Sequence, residues 1–108
     1  MFRQVTAKEV EAAATATKIQ WVENHKCGGC NMPVGWIIQL EGEAWKVYYD
    51  PNCDCVNYRS LPHEVGWQEC ADWINVQSKP EGRNACLTAF GLPPEPLPDQ
   101  AAIEGPAV

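Results

Sequence analysis

The sequence predicts an α+β domain in which a β-hairpin packs with one helix before it and two after it. Three observations predict this. "VGWIIQL" and "WKVYYD" are strand-like runs rich in β-branched and aromatic residues, separated by the turn "EGEA". "TAKEVEAAATATKIQW" lacks Gly and Pro and keeps Val10, Ala14, Thr17 and Trp21 on one helical face. "GWQECADWINVQ" sets Trp67, Cys70, Ala71 and Ile74 at the i, i+3, i+4, i+7 spacing of an amphipathic helix.

Each element carries its own punctuation. Thr6, with Glu9 three residues on, forms a capping-box pattern that starts a helix over about residues 7–21, although Thr15 and Thr17 weaken it. "NHKCGGCNMP" reads as a turn in which two glycines supply unusual dihedrals and Pro33 stops any continuation. Gly42 marks the hairpin loop, and in the second arm Trp45, Val47 and Tyr49 share one face while Lys46 and Tyr48 take the other. "NYRSLPHEV" is irregular. Ser78 followed by Pro80 suggests a cap with proline in the first turn of a last helix over "EGRNACLTAF". That helix would turn Ala85 or Cys86 and Phe90 inward, with Gly91 closing it. The stretch from Leu92 holds five of the nine prolines and three acidic residues without periodicity, which predicts a disordered or extended tail over 92–108 behind a single domain over 1–91.

A chain of 108 residues has room for one modest core. The net charge of −6, with the basic residues scattered, disfavours a phosphate track. No apolar run is long enough to span a membrane, and "MFRQVTAKEV" has no signal-peptide core, so the expected compartment is the cytoplasm, where thiols stay reduced.

The cysteines carry the chemistry. "CGGC" at 27–30 and "CDC" at 53–55 bracket the hairpin, whose far ends come together and would bring the two pairs opposite one another. Tetrahedral zinc suits that arrangement, so Cys27, Cys30, Cys53 and Cys55 are the candidate ligands of a zinc-ribbon-like site. The second pair is Cys-x-Cys, shorter than the common knuckle, and His25 or His63 is a possible substitute ligand. A redox pair normally opens a helix, and none follows "CGGCNMPVGW"; a disulfide framework is the remaining reading. Cys70 and Cys86 fall on helix faces as small buried hydrophobes, with a bridge between the helices as the alternative. Of the five tryptophans most should fill the core, while Trp36, beside the knuckle, and Trp73, off the apolar stripe, are candidates for an exposed anchor to a partner.

"VYYDPNCDC", a proline-containing loop, "WQECADWINVQS" and a closing "FGL" resemble a group of small proteins of tailed bacteriophages and prophages, over about residues 26–91. That group carries an upstream Cys-x-x-Cys, a tyrosine-rich strand ending in Asp-x-x-Cys-Asp-Cys, and a Trp-containing helix. The resemblance implies a phage origin, action in the cytoplasm of the bacterial host and a shared metal site, and it brings no catalytic residues.

Four thiolates close a zinc shell, and the chain has no HExxH, phosphate loop or Ser/His/Asp set, which argues against an enzyme. The expected function is a protein-binding module that inhibits or redirects a host protein, such as RNA polymerase, a nuclease or a defence component. A nucleic-acid-binding zinc ribbon and a structural phage component are the alternatives.

Overall fold

The computed structural model describes residues 2–51 and 62–95. The chain runs α1 (Ala7–Thr17), β1 (Trp21–Lys26), β2 (Pro33–Glu41), β3 (Ala44–Asp50), β4 (His63–Val65), α2 (Trp67–Asn75) and α3 (Pro80–Ala89). The four strands form one antiparallel sheet in the order β1-β2-β3-β4, so the expected hairpin, β2–β3, is the centre of a meander.

Helix α1 starts as its sequence predicts: the Thr6 side chain accepts from the Glu9 N–H, and the Glu9 carboxylate accepts from the Thr6 N–H. It ends at Thr17, not at residue 21. The hydroxyls of Thr15 and Thr17 donate to the carbonyls of Ala12 and Ala13, and Lys18 turns left-handed at φ 56°. Released from the helix, Trp21 and Val22 open β1, and Val22, not Trp21, takes the buried position.

The hairpin register runs from Gly35↔Asp50 to Glu41↔Ala44 around the Gly42 turn. Val34, Trp36 and Ile38 of β2 alternate inward, as do Trp45, Val47 and Tyr49 of β3, while Lys46 and Tyr48 take the outer face as expected. There the Tyr48 hydroxyl donates to Glu41, and this hydrogen bond pushes the phenol up to about 12. Strands β1 and β4 add one edge each; of the segment expected to be irregular before α2, His63–Val65 pair, as Val47↔Val65 and Tyr49↔His63, and residues 57–61 lie outside the described residues.

One core joins the inner sheet face to the helices: Val10 and Ala14 of α1, Cys70, Ala71 and Ile74 of α2, and Cys86, Leu87 and Phe90 at α3, against Val22, Trp36, Ile38 and Val47. Each fully buried Val, Ile, Leu or Phe contributes on the order of 1.5–3 kcal/mol. The α2 stripe is as predicted. In α3 the inward residue is Cys86, with Ala85 exposed, and the cap is Lys79 rather than Ser78, with Pro80 in the first turn.

Two features differ from expectation near the C-terminus. Arg83 is fully buried. Leu92 belongs to the core, and Glu95 exchanges hydrogen bonds with the Asn84 side chain, so the packed body continues through residue 95. The remainder of the expected tail, 96–108, lies outside the described residues.

Candidate functional site

The Cys-x-x-Cys pair occupies the turn joining β1 to β2. The Cys27 N–H donates to the Met32 carbonyl at 3.0 Å and the Asn31 N–H donates to the Cys27 carbonyl at 2.8 Å, which closes the turn. Its left-handed residue is Asn31, at φ 59°, and not either glycine of the pair; Asn tolerates that region at low cost. Cys27 and Cys30 are both half-buried.

Strand register decides what else reaches this end of the sheet. His25 pairs with Val34, and Gly35 with Asp50, so β3 finishes beside the cysteine turn. Tyr49 pairs with His63, so β4 begins at the same end, and the Tyr49 and His63 rings meet edge to face at 6.0 Å. A cavity of ≈ 270 Å³ opens there, lined by His25, Cys27, Gly28, Val34, Tyr49 and Pro51. The fold therefore brings one expected ligand, Cys27, and one possible substitute, His25, to a single cavity with the residue from which the chain departs toward the second pair. Cys53 and Cys55 themselves lie outside the described residues. Among the described residues no three His, Cys, Asp or Glu side chains cluster as a metal-binding group.

Gly35 is what lets the strands close at this end. The β1–β2 register shifts between Glu23 and His25, and a methyl group on Gly35 would lie 2.0 Å from the Val22 carbonyl oxygen and 2.8 Å from the Asn24 nitrogen. Both are backbone atoms, so the strand must move. Gly35→Ala is expected to cost about 3 kcal/mol in urea unfolding, the upper part of the usual overpacking range. A melt superimposable on the parent's would show that β1 is not held there.

The two tryptophans expected to face a partner come together, with different roles. Trp36 is only 4% exposed, contrary to its reading as a surface anchor, because the alternation of β2 turns it inward with Val34 and Ile38. Trp73 is half-buried and packs against Trp36, ring centroids 4.5 Å apart and planes tilted by 39°. Tyr49 lies 5.2 Å from Trp36, and Phe90 closes the cluster edge-on at 6.0 Å. Over these rings runs an open groove of ≈ 340 Å³, bordered by Trp36, Tyr49 and Trp73 and by Glu69, Asp72 and Val76 of the α2 segment. Val76 is 71% exposed. Sequence reasoning missed Glu69, Asp72 and Val76. The signal was present, since residues 69, 72, 73 and 76 form a second i, i+3, i+4, i+7 stripe, next to the core-facing one.

Cys70 and Cys86 are buried and unbridged. Burial, and secondarily the Glu69 charge, pushes the Cys70 thiol up to about 12; burial likewise raises Cys86. In that setting both thiols are protonated at neutral pH and poor nucleophiles. In native protein at pH 8 iodoacetamide is expected to leave both unmodified, as peptide mapping would show, with labelling only after denaturation. Labelling at the native rate of an exposed thiol would contradict their burial.

No helix among the described residues is long and apolar enough to cross a membrane. Comparison of the chain with protein-family models, with curated proteins and with solved structures gave no match.

Proposed function

We propose that this chain is a small zinc-stapled protein-binding module, of phage origin, that docks on a host bacterial protein and inhibits or redirects it. The observation that carries the binding role is the open groove lined by half-buried Trp73 and Tyr49 above buried Trp36, an aromatic lining of the kind that anchors interfaces.

Support for the metal comes from the ends of the strands. Cys27 and Pro51 line one cavity, and Cys53 follows Pro51 by two positions in the sequence. Cys27 and Cys30 on the β1–β2 turn, with Cys53 and Cys55 after β3, are the residues that would hold zinc. Four thiolates leave no coordination position for water, so the ion supplies rigidity rather than hydrolysis. Zinc there would fasten β3 to the turn between β1 and β2, which holds Tyr49 and Trp36 in place under the groove.

The charge supports a protein partner over nucleic acid. Of the basic residues on the sheet, Lys46 sits between Glu41 at 3.6 Å and Glu64 at 4.0 Å, which cancels it as a phosphate contact. Affinity capture from bacterial lysate tests the reading. The tagged parent should recover one host protein reproducibly, and Trp73→Ala should lose it while retaining zinc. Recovery of nothing by the parent, or a low-salt gel shift with nucleic acid, would overturn it.

A further inference from the structure

We infer that the groove over Trp36 and Trp73 is a receptor for a cationic side chain, lysine or arginine, presented by the partner protein. This rests on the protein-binding reading above and adds the chemistry of what is bound. Three observations meet at the groove. Its wall is aromatic, built from Trp36, Tyr49 and Trp73 with ring centroids 4.5 Å and 5.2 Å apart, and indole faces attract cations more strongly than any other side-chain ring. Its rim carries Glu69 and Asp72, one helical turn apart and both exposed. Neither carboxylate forms an ion pair among the described residues; Asp72 accepts only the Gln68 amide at 2.9 Å.

Arg3, Lys46 and Arg83 pair with Glu9, Glu41, Glu64 and Glu95, and none of the three reaches Glu69 or Asp72. Exposed Val76 extends the groove with an apolar surface that the aliphatic stem of lysine or arginine would cover. An aromatic wall with carboxylates at one side and apolar surface at the other matches a long side chain with a charged end. It does not suit an anionic or a purely aliphatic ligand, each of which would leave the carboxylates repelled or uncompensated.

The test uses zinc-loaded full-length protein and blocked pentapeptides of four alanines around a central arginine, lysine, citrulline or leucine, followed through the tryptophan indole resonances. The arginine and lysine peptides should shift the Trp36 and Trp73 indole signals saturably, leaving Trp21 and Trp45 unmoved. Citrulline, the neutral isostere of arginine, and leucine should bind roughly tenfold more weakly, the loss expected when the cation is removed. The double variant Glu69→Gln/Asp72→Asn, which alters only exposed side chains, should weaken the arginine peptide to a similar extent with an unchanged melting curve. Raising salt should weaken the parent and hardly affect the variant. Equal shifts with arginine and citrulline, shifts confined to other tryptophans, or no shifts at all would overturn the assignment. If capture of a host protein persists despite such a result, only the cation receptor fails; if capture fails while the arginine peptide binds, the host-docking role is what falls.

Discussion

Removal of zinc by a chelator, or Cys27→Ser or Cys53→Ser, is expected to cost the domain ~5 kcal/mol or more, comparable to the whole net stability of a small domain. Purified protein should hold about one zinc per chain, and each variant well under half of that. The size of the effect follows from where the core ends. Val22, Trp36, Ile38 and Val47 pack on the helices, but the turn over 27–32 contributes no buried residue and is closed by only a few backbone hydrogen bonds. In peptides with no other core, structural zinc is worth about 10–16 kcal/mol of apparent folding energy. Here the helix–sheet core stands partly by itself, so the loss should be smaller and unevenly spread. Helical circular dichroism should largely survive at low temperature. Amide exchange in β1, the turn and the end of β3 should rise steeply, since those segments open first. Elemental analysis with urea melts reads both parts of the expectation. A metal-free chain that unfolds with the parent, or native protein whose cysteines are joined as cystines, would end the zinc reading.

What the sequence made legible depended on whether an element's neighbours are local. The α2 stripe was readable because Cys70, Ala71 and Ile74 face one core at helical spacing, and the β2–β3 hairpin because alternation and Gly42 act within a few residues. Strand β1 was not readable. After Trp21 and Val22 it continues as Glu-Asn-His-Lys, polar on both faces, and it forms because β2 offers it an edge, so its signal is in the partner strand. Strand β4 has three residues and a single half-buried valine, too little for any periodicity. Trp36 was misplaced for a different reason. Its nearness to the cysteine turn in sequence suggested the surface, but its strand parity with Val34 and Ile38 decides its direction. The first cysteine pair was recognisable from spacing, and the register adds that β3 ends beside its turn. The groove was half legible: Trp73 stood out as off the core stripe, but Tyr49 and Trp36 reach it only through sheet pairing.

Arg83→Ala is expected to destabilise the domain by about 3–5 kcal/mol, the range for breaking a buried charge pair from one side. A charged residue on a helix normally reads as solvated, yet this one is the only buried charged side chain among the described residues. Its partners come from both ends of the chain. One guanidinium nitrogen donates to the Arg3 carbonyl, 80 positions away, and to Glu95 at 3.0 Å, while the other approaches the Ile74 carbonyl at 3.5 Å. The guanidinium carbon also lies 5.0 Å over the Phe2 ring. Arg83 thus ties the segment before α1 and the segment after α3 to the end of α2. Among the described residues its Nε has no acceptor, so the desolvation of this cation is offset through Glu95, the carbonyls and the Phe2 ring. Removing the carboxylate should therefore be as harmful as removing the arginine, and Glu95→Ala should lose a similar amount. The same logic applies to the start of the stretch expected as a disordered or extended tail. A chain ending at residue 91 deletes both Leu92 from the core and the counter-ion of Arg83, and should melt far below a chain ending at residue 95. Replacing the pair together, Arg83→Met with Glu95→Leu, removes both charges while keeping volume, and should recover most of the loss. If the double replacement is no better than Arg83→Ala, the hydrogen bonds to the Arg3 and Ile74 carbonyls, rather than the charge pair, hold the termini in place.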